Sequence, residues 1–171
     1  MADSFDICLA FTLREEGGYV DDPADPGGAT NMGITLATYR EWSDEANLGD
    51  AQVEDMTLKT ARAIYRSLYW NPLRADALPP GVDLSVFDMG VNAGIWCSAR
   101  LLQQSLGFTG DAVDGSIGPD TLAATDRFDA RTLVTSAGGL LQVFGRFSNL
   151  WHWLAQPHRG ATRCRARHDR G

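Results

Sequence analysis

A carboxylic acid followed by two glycines is the first feature of the sequence that could do chemistry. Glu16 is expected in the last turn of an N-terminal helix, and Gly17 and Gly18 follow it. Unpaired carbonyl groups at the end of a helix disfavour a nearby carboxylate, so the pKa of Glu16 is expected to lie above its usual range. A carboxylic acid of raised pKa is suited to general acid catalysis.

The loop that follows Glu16 contains polar groups that could complete such a site. Cleavage of a glycosidic bond needs a proton for the leaving oxygen and a second group that supports the sugar cation or positions water. Asp25 and Thr30 are candidates for the second group. The alternative is that Glu16 is a solvated carboxylate at a helix end and that the Asp-Pro-Gly cluster only forms turns.

Local sequence patterns predict the elements that position these residues. Apolar residues cover a broad helical face from Asp3 to Glu16, with the glycine pair as the stop. The segment from Tyr19 to Ile34 contains two prolines and three glycines, which break helices and permit positive φ. An irregular loop or a short hairpin is therefore predicted after the first helix.

The remainder of the chain shows helical patterns and almost no alternation typical of strands. Its signals are helix caps at Thr35 and Thr57, apolar patterns over residues 84–91 and 95–106, a stop at Gly107 and a start at Pro119. The predicted fold class is all-α (mainly α), an orthogonal assembly of helices.

Charge, cysteine content and hydropathy narrow the classes of function. A formal net charge of −7, without clustered Lys and Arg in the first two thirds of the chain, argues against a nucleic-acid binder. The chain has an odd number of cysteines, Cys8, Cys97 and Cys164, so free thiols are expected. Their spacing is not that of a metal site, and neither a metal nor a cofactor is expected. No signal peptide and no membrane-spanning run is recognised, so synthesis in the cytoplasm without stable membrane insertion is expected.

The residues between Glu16 and Ile34 form a motif of high specificity. Its members are Glu16-Gly17-Gly18-Tyr19, Pro23, Asp25, Gly27-Gly28, Thr30, Gly33 and Ile34. This motif resembles the opening signature of glycoside hydrolase family 108. In that family the Glu before Gly-Gly-Tyr is the catalytic residue of an N-acetylmuramidase, so the resemblance implies this role for Glu16 and a lysozyme-like fold. The order Glu16, Asp25, Thr30 is also similar to the Glu–Asp–Thr arrangement of phage-type lysozymes, although the spacing from Asp to Thr is one residue shorter.

Later motifs extend the resemblance to about residue 133. They include Tyr69-Trp70, Phe87-Asp88-Met89, Val91-Asn92-Ala93-Gly94 and Val113-Asp114-Gly115-Ser116-Ile117-Gly118-Pro119, and they are similar to the same family and its accompanying predicted peptidoglycan domain. Asp88 and Asn92 are one helical turn apart and could form a polar rim of a sugar cleft, while helix capping or core hydrogen bonds are the alternative. Tyr19, within the first motif, is a third candidate for substrate binding. The Asp114-Gly115 segment is predicted to be a turn that leads into a helix, because it lacks the ligands of a calcium loop.

The chain is predicted to have three parts. Pro79-Pro80-Gly81 is the best internal boundary, which gives a lysozyme-like catalytic segment over residues 1–78 and a predicted peptidoglycan-domain-like helical segment over 79–136. After Ser136 the resemblance stops, and the aberrant tail over 137–171 is rich in Arg and His. A shift of the reading frame by one base restores the Tyr-Arg and Gly-Trp-x-x-Arg pieces of the family's ending, so we hypothesise a frameshift near Ser136.

Other interpretations of the tail are a basic arm that binds nucleic acid or membrane, and a metal site formed by His158, Cys164 and His168. Sequencing the gene distinguishes them from a frameshift, because codons that cannot encode the family's ending in the shifted frame would exclude it.

The leading hypothesis for function is a phage or prophage endolysin-like muramidase that cleaves the β-1,4 bond between N-acetylmuramic acid and N-acetylglucosamine. It would act as a monomer on the glycan strands of peptidoglycan, after holin-assisted or other non-Sec release. One rival is a lytic transglycosylase, in which a hydroxyl of the sugar closes an anhydro ring. The other rival is a non-catalytic module that binds peptidoglycan or assists secretion.

Overall fold

A computed structural model of the chain describes residues 3–15, 19 and 29–127. Contacts divide the chain into two units, Met1–Pro72 and Leu73–Gly171. The described residues form helices and one sheet of two short strands, which confirms the mainly α, lysozyme-like class with a hairpin after the first helix. The domain boundaries predicted at 78/79 and 136/137 stay predictions.

The first unit contains an N-terminal helix, a hairpin and a chain of short helices. These elements are α1 (Ser4–Glu15), β1 (Thr30–Asn31), β2 (Ile34–Thr35), α2 (Leu36–Ser43), α3 (Asp50–Glu54), α4 (Leu58–Tyr65) and a π-helical turn (Arg66–Trp70). The caps predicted for α2 and α4 are confirmed, because Thr35 Oγ1 accepts from Thr38 N at 3.1 Å and Thr57 Oγ1 accepts from Thr60 N at 3.2 Å.

Helix α1 buries only part of its broad apolar face. Its buried side chains recur at helical spacing and are Phe5, Cys8, Leu9 and Thr12. Ile7 is 60% exposed and Phe11 is 39% exposed, so the apolar residues on the opposite side of α1 face solvent. The start of the helix agrees with the prediction, since the carbonyl of Asp3 accepts from the amides of Asp6 and Ile7.

The second unit begins with a 3₁₀ turn and continues with two helices packed on each other. Its described elements are the 3₁₀ turn Ala75–Ala77, α5 (Val82–Ala93), α6 (Ile95–Ser105), the 3₁₀ turn Gly110–Ala112 and α7 (Pro119–Arg127). Gly94, with φ of 88°, separates α5 from α6, and Ser98 Oγ on α6 donates to Val86 O on α5 at 2.6 Å. Gly90 on α5 allows Leu73 to approach closely, because a Cβ there would lie 2.6 Å from Leu73 Cδ1, and it would also lie 3.8 Å from Ile95 Cγ2 on α6.

The predicted end of α6 and the predicted start of α7 are both confirmed. Gly107 has φ of 88°, and its amide donates to Gln104 O while the amide of Phe108 donates to Gln103 O. This pair of bonds is a Schellman motif, which satisfies carbonyl groups that the end of α6 leaves unpaired. Pro119 is the first residue of α7, where the missing amide hydrogen costs no helical hydrogen bond.

The segment between α6 and α7 forms the predicted turn. Asp114 Oδ1 accepts from Ser116 N at 2.8 Å and from Nε2 of the buried Gln103 at 2.7 Å. Gly115 has φ of 81°, and a Cβ at this position would lie 2.5 Å from Trp96 Cδ1. The hydrogen bond from Gln103, followed by that from the Ser116 amide, holds the pKa of Asp114 below its ordinary value of 3.8.

Replacing Asp114 with Asn is expected to lower stability at neutral pH but not in acid. The folded protein stabilises the charged carboxylate, so this contribution is present above the unfolded pKa and is lost as the pH falls through the folded pKa. The midpoint of urea unfolding of the wild type should exceed that of Asp114→Asn at neutral pH, and the difference should shrink as the pH falls below the unfolded pKa of about 4 and then through the lower folded pKa. Asp111→Asn, which removes the same charge from an exposed residue, is the control. A difference that persists in acid would contradict this account.

The cysteines depart in part from the sequence-based expectation. Cys8 is a buried thiol on α1, whereas Cys97, buried on α6, is disulfide-bonded. The expectation of free thiols is therefore wrong for Cys97, because an odd number of cysteines excludes complete pairing but not a single bridge. Cys164 and the rest of the tail over 137–171 lie outside the described residues. Among residues 3–15, 19 and 29–127, no cluster of three or more His, Cys, Asp or Glu could hold a metal ion, and no helix is long and apolar enough to cross a membrane.

Candidate functional site

Four of the six predicted site residues lie in the described part of the chain. Glu16 and Asp25 lie outside it. Tyr19 and Thr30 belong to the first unit, and Asp88 and Asn92 belong to the second. The elements that border residues 16–28 in the first unit are α1, which ends at Glu15, and the hairpin strand that begins at Thr30.

Helix α1 is anchored to the π-helical turn by an aromatic contact. The ring centroids of Phe5 and Trp70 are 5.1 Å apart, and the ring planes are tilted by 60°. Both side chains have an exposed fraction of 0%. A tilted aromatic pair of this kind adds to the stabilisation that each ring gains by burial. The helix that leads directly to Glu16 is therefore held by the core of the first unit.

Two ion pairs follow the same helix interface. Arg62 Nε donates to Asp6 Oδ1 at 2.6 Å, and Arg66 Nη1 donates to Asp3 Oδ2 at 3.0 Å. The guanidinium carbons of both arginines lie over the Phe5 ring, 5.2 and 5.0 Å from its centroid. The hydrogen bond between Arg62 and Asp6 lowers the pKa of Asp6 and raises that of Arg62. Because these side chains are well exposed, the pairs orient α1 more than they stabilise it.

The hairpin that carries Thr30 has a tight two-residue turn. Thr30 pairs with Thr35 and Asn31 pairs with Ile34 in antiparallel register. Met32 and Gly33, the turn residues, have φ of 49° and 72°. Two consecutive positive φ angles indicate a type I′ turn, which matches the twist of the strands. A non-glycine residue at the first turn position carries backbone strain that the surroundings must offset.

Hydrogen bonds from two side chains, Tyr65 and Asn31, tie this hairpin to α4 and α3. Tyr65 Oη on α4 donates to Met32 O at 2.8 Å. Asn31 Nδ2 donates to Val53 O at 2.9 Å and to Glu54 O at 3.0 Å, the last carbonyl groups of α3. The segment 58–70, formed by α4 and the π-helical turn, therefore contacts both α1 and the hairpin.

Thr30 and Tyr19 occupy different environments in the first unit. Thr30 is half-buried on β1, one residue after the fully buried Ala29. Tyr19 is 37% exposed, so part of its ring is accessible to a ligand. Their roles in catalysis and substrate binding stay predictions.

In the second unit, Asp88 is half-buried and Asn92 is exposed on α5. Asn92 Nδ2 donates to the main-chain carbonyl of Asp88 at 2.8 Å. This is an exposed local hydrogen bond along the helix. A role for either residue at the sugar stays a prediction.

Sequence reasoning missed the residues that support the site. In the sequence Tyr65 is one of the apolar residues at helical spacing after Thr57, and Asn31 lies in the segment predicted as a loop or short hairpin, so neither pattern indicates a hydrogen-bond partner. A sequence signal exists for the ion pairs. Asp3 and Asp6 lie at the start of α1, Arg62 and Arg66 lie at the end of α4 and in the π-helical turn, and opposite charges at helical spacing can face each other across packed helices.

A cavity of about 860 Å³ lies in the second unit, beside the end of α6 and the start of α7. Its lining includes Gln103, Phe108, Asp114, Asp120 and Thr121. Within the described part of the chain, no predicted site residue lines it, and we assign it no function.

Comparisons with known proteins agree with the resemblance seen in the sequence. The family model described as Glycosyl hydrolase 108 matches residues 9–94, half of the chain. The solved structure of SagA from Brucella abortus is similar, with a TM-score of 0.65 and 37% sequence identity, covering 96% of this chain and 92% of that chain. No curated protein matches the chain.

Proposed function

Because the chain belongs to glycosyl hydrolase family 108, we propose that it is an N-acetylmuramidase that hydrolyses the β-1,4 bond between N-acetylmuramic acid and N-acetylglucosamine. Membership makes it a lysozyme-like glycoside hydrolase, and peptidoglycan is its general class of substrate. The observation that carries the finer proposal is the end of α1 at Glu15, directly before Glu16, with α1 anchored to the same segment as the Thr30 hairpin.

In this proposal Glu16 is the general acid. It follows the last residue of α1, where the partial negative charge of the helix end favours a protonated carboxyl group. Its proton passes to the glycosidic oxygen as the bond to the anomeric carbon breaks. Asp25 and Thr30 support the oxocarbenium-like sugar or hold the water that replaces the leaving group. Tyr19, Asp88 and Asn92 contact the glycan.

The masses and ends of the products test this proposal. Purified peptidoglycan treated with the protein should give fragments that end in a reducing N-acetylmuramic acid, which borohydride converts to its alditol. Each fragment should be one water heavier than the 1,6-anhydro product of a transglycosylase. Products with anhydro ends would show that the protein is a transglycosylase and not a hydrolase. Binding without any cleavage would favour the non-catalytic module.

We also propose that the enzyme serves as a phage or prophage endolysin, made in the cytoplasm and released to the wall by a holin or another non-Sec route. Support comes from the phage-type order of Glu16, Asp25 and Thr30 in the sequence. Lysis of an expressing host should depend on co-expression of a holin, and equal lysis without one would contradict this route.

A further inference from the structure

We infer that Tyr65 is a positioning residue for hydrolysis, because its buried phenol fixes the hairpin that carries Thr30. This role rests on the proposed function, since it acts through Thr30 and not on the substrate. Tyr65 has an exposed fraction of 1%, and its hydroxyl reaches across 33 positions of the chain to Met32 O.

The turn of the hairpin creates the need for this hydrogen bond. The ladder pairs Asn31 with Ile34, so the Met32 carbonyl lies within the two-residue turn and outside the pairing of the strands. A buried phenol without an acceptor is costly, and the carbonyl of the half-buried Met32 also gains from a donor. The hydrogen bond of 2.8 Å from Tyr65 Oη gives the Met32 carbonyl a donor and fixes the tip of the hairpin.

A second set of hydrogen bonds, from Asn31, also fixes the position of the hairpin. The Asn31 amide donates to Val53 O and Glu54 O, 22 and 23 positions away. Asn31 directly follows Thr30, and Met32 follows Asn31. The backbone next to Thr30 is thus held by α3 at Asn31 and by α4 at Met32. Two anchors on consecutive residues restrict both the translation and the rotation of this strand.

The same segment also holds α1. Tyr65 is the last residue of α4, and the π-helical turn begins at Arg66 with the amide of Asn71 donating to Arg66 O at 2.9 Å. Adjacent residues of a helix point about 100° apart, so Tyr65 reaches the hairpin while Arg66 reaches Asp3, the residue before α1. Wide turns of this type occur often at functional sites.

Tyr65→Phe removes the hydroxyl and keeps the ring, which packs 5.7 Å from the ring of Tyr69. We expect kcat to fall about 10- to 100-fold, because a displacement of the order of 1 Å in a catalytic group has this effect. KM should stay within about twofold, since the lost interaction acts in the transition state and not in substrate binding. The matched control is Tyr39→Phe, which removes a phenol hydroxyl from a half-buried ring on α2.

Two measurements on the full chain decide the outcome. Steady-state cleavage of soluble glycan fragments gives kcat and KM for the wild type, Tyr65→Phe and Tyr39→Phe, and hydrogen exchange reports the protection of residues 30–35. The expected result is a lower kcat and faster exchange in the hairpin for Tyr65→Phe alone. The inference is overturned if Tyr65→Phe has the same kcat as Tyr39→Phe. It is also overturned if the loss of activity in Tyr65→Phe is fully explained by the fraction of protein that is unfolded.

The failure of the proposed function is separable from the failure of this inference. If the wild type releases no reducing ends, the muramidase proposal fails. Hydrogen exchange of residues 30–35 then tests the positioning role of Tyr65, because it does not depend on turnover. Hairpin protection in Tyr65→Phe equal to that of the wild type would overturn its positioning role.

Discussion

Replacing Glu16 with Gln is expected to lower the rate of peptidoglycan cleavage by about two to three orders of magnitude while the protein stays folded. Gln has nearly the size of Glu but cannot deliver a proton to the glycosidic oxygen, and proton donation is typically worth a factor of this order. The release of reducing ends from purified peptidoglycan measures the rate, and the melting temperature shows that the fold is retained.

The adjacent Glu15 provides a matched control for this experiment. Glu15 is the last residue of α1, one position before Glu16, so Glu15→Gln removes the same charge from the same helix end. Its rate should stay close to that of the wild type. Lysis by Glu16→Gln at a near-normal rate, or an equal loss in both variants, would remove the assignment of the general acid.

Replacing Trp70 with Ala is expected to destabilise the first unit by about 3–5 kcal/mol, the usual effect of deleting a buried Trp side chain. Trp70 is fully buried and contacts Phe5, so the variant leaves a cavity and removes the aromatic anchor of α1. Because total stability is typically about 5–15 kcal/mol, a loss of this size threatens the folded state itself.

Urea titration gives the free energy of unfolding and so measures this effect. The comparison requires that the dependence of this free energy on urea concentration is the same in the wild type and the variant. Leu58→Ala is the control, because Leu58 lies on α4 of the same segment but is 60% exposed. The stability of this variant should change by less than about 0.5 kcal/mol. If Trp70→Ala and Leu58→Ala were equally stable, the contact between the π-helical turn and α1 would not support the fold in the way we describe.

Local hydrogen bonds account for the part of the fold that the sequence by itself determined. Thr35 and Thr57 each bond an amide three residues later, and the two bonds at Gly107 join residues three and five positions apart. Such contacts depend on residue type and spacing within one helical turn, so they are visible in a single sequence. Residue type explains the positive φ of Gly33 in the same way, but it does not explain that of Met32, which is not a glycine.

The family motif also belongs to the part that sequence determined. The order of residues from Glu16 to Ile34 identified the family that the comparisons then showed. Spacing alone left Glu16 open to interpretation as a solvated carboxylate. Glu16 and Asp25 lie outside the described residues, so their roles depend on the activity measurements.

Tertiary structure decided which side chains support the candidate site. The bonds from Tyr65 to Met32 and from Arg62 to Asp6 join residues 33 and 56 positions apart. A helical period shows that Tyr65 lies on an apolar face but not that its hydroxyl finds a carbonyl of a distant turn. The same period shows Phe5, Ile7 and Phe11 as equally apolar, yet packing on Trp70 buries only Phe5. The physical reason is that propensity and capping act within a few residues, whereas the choice of partners across the core depends on how the whole chain closes its loops and fills its interior.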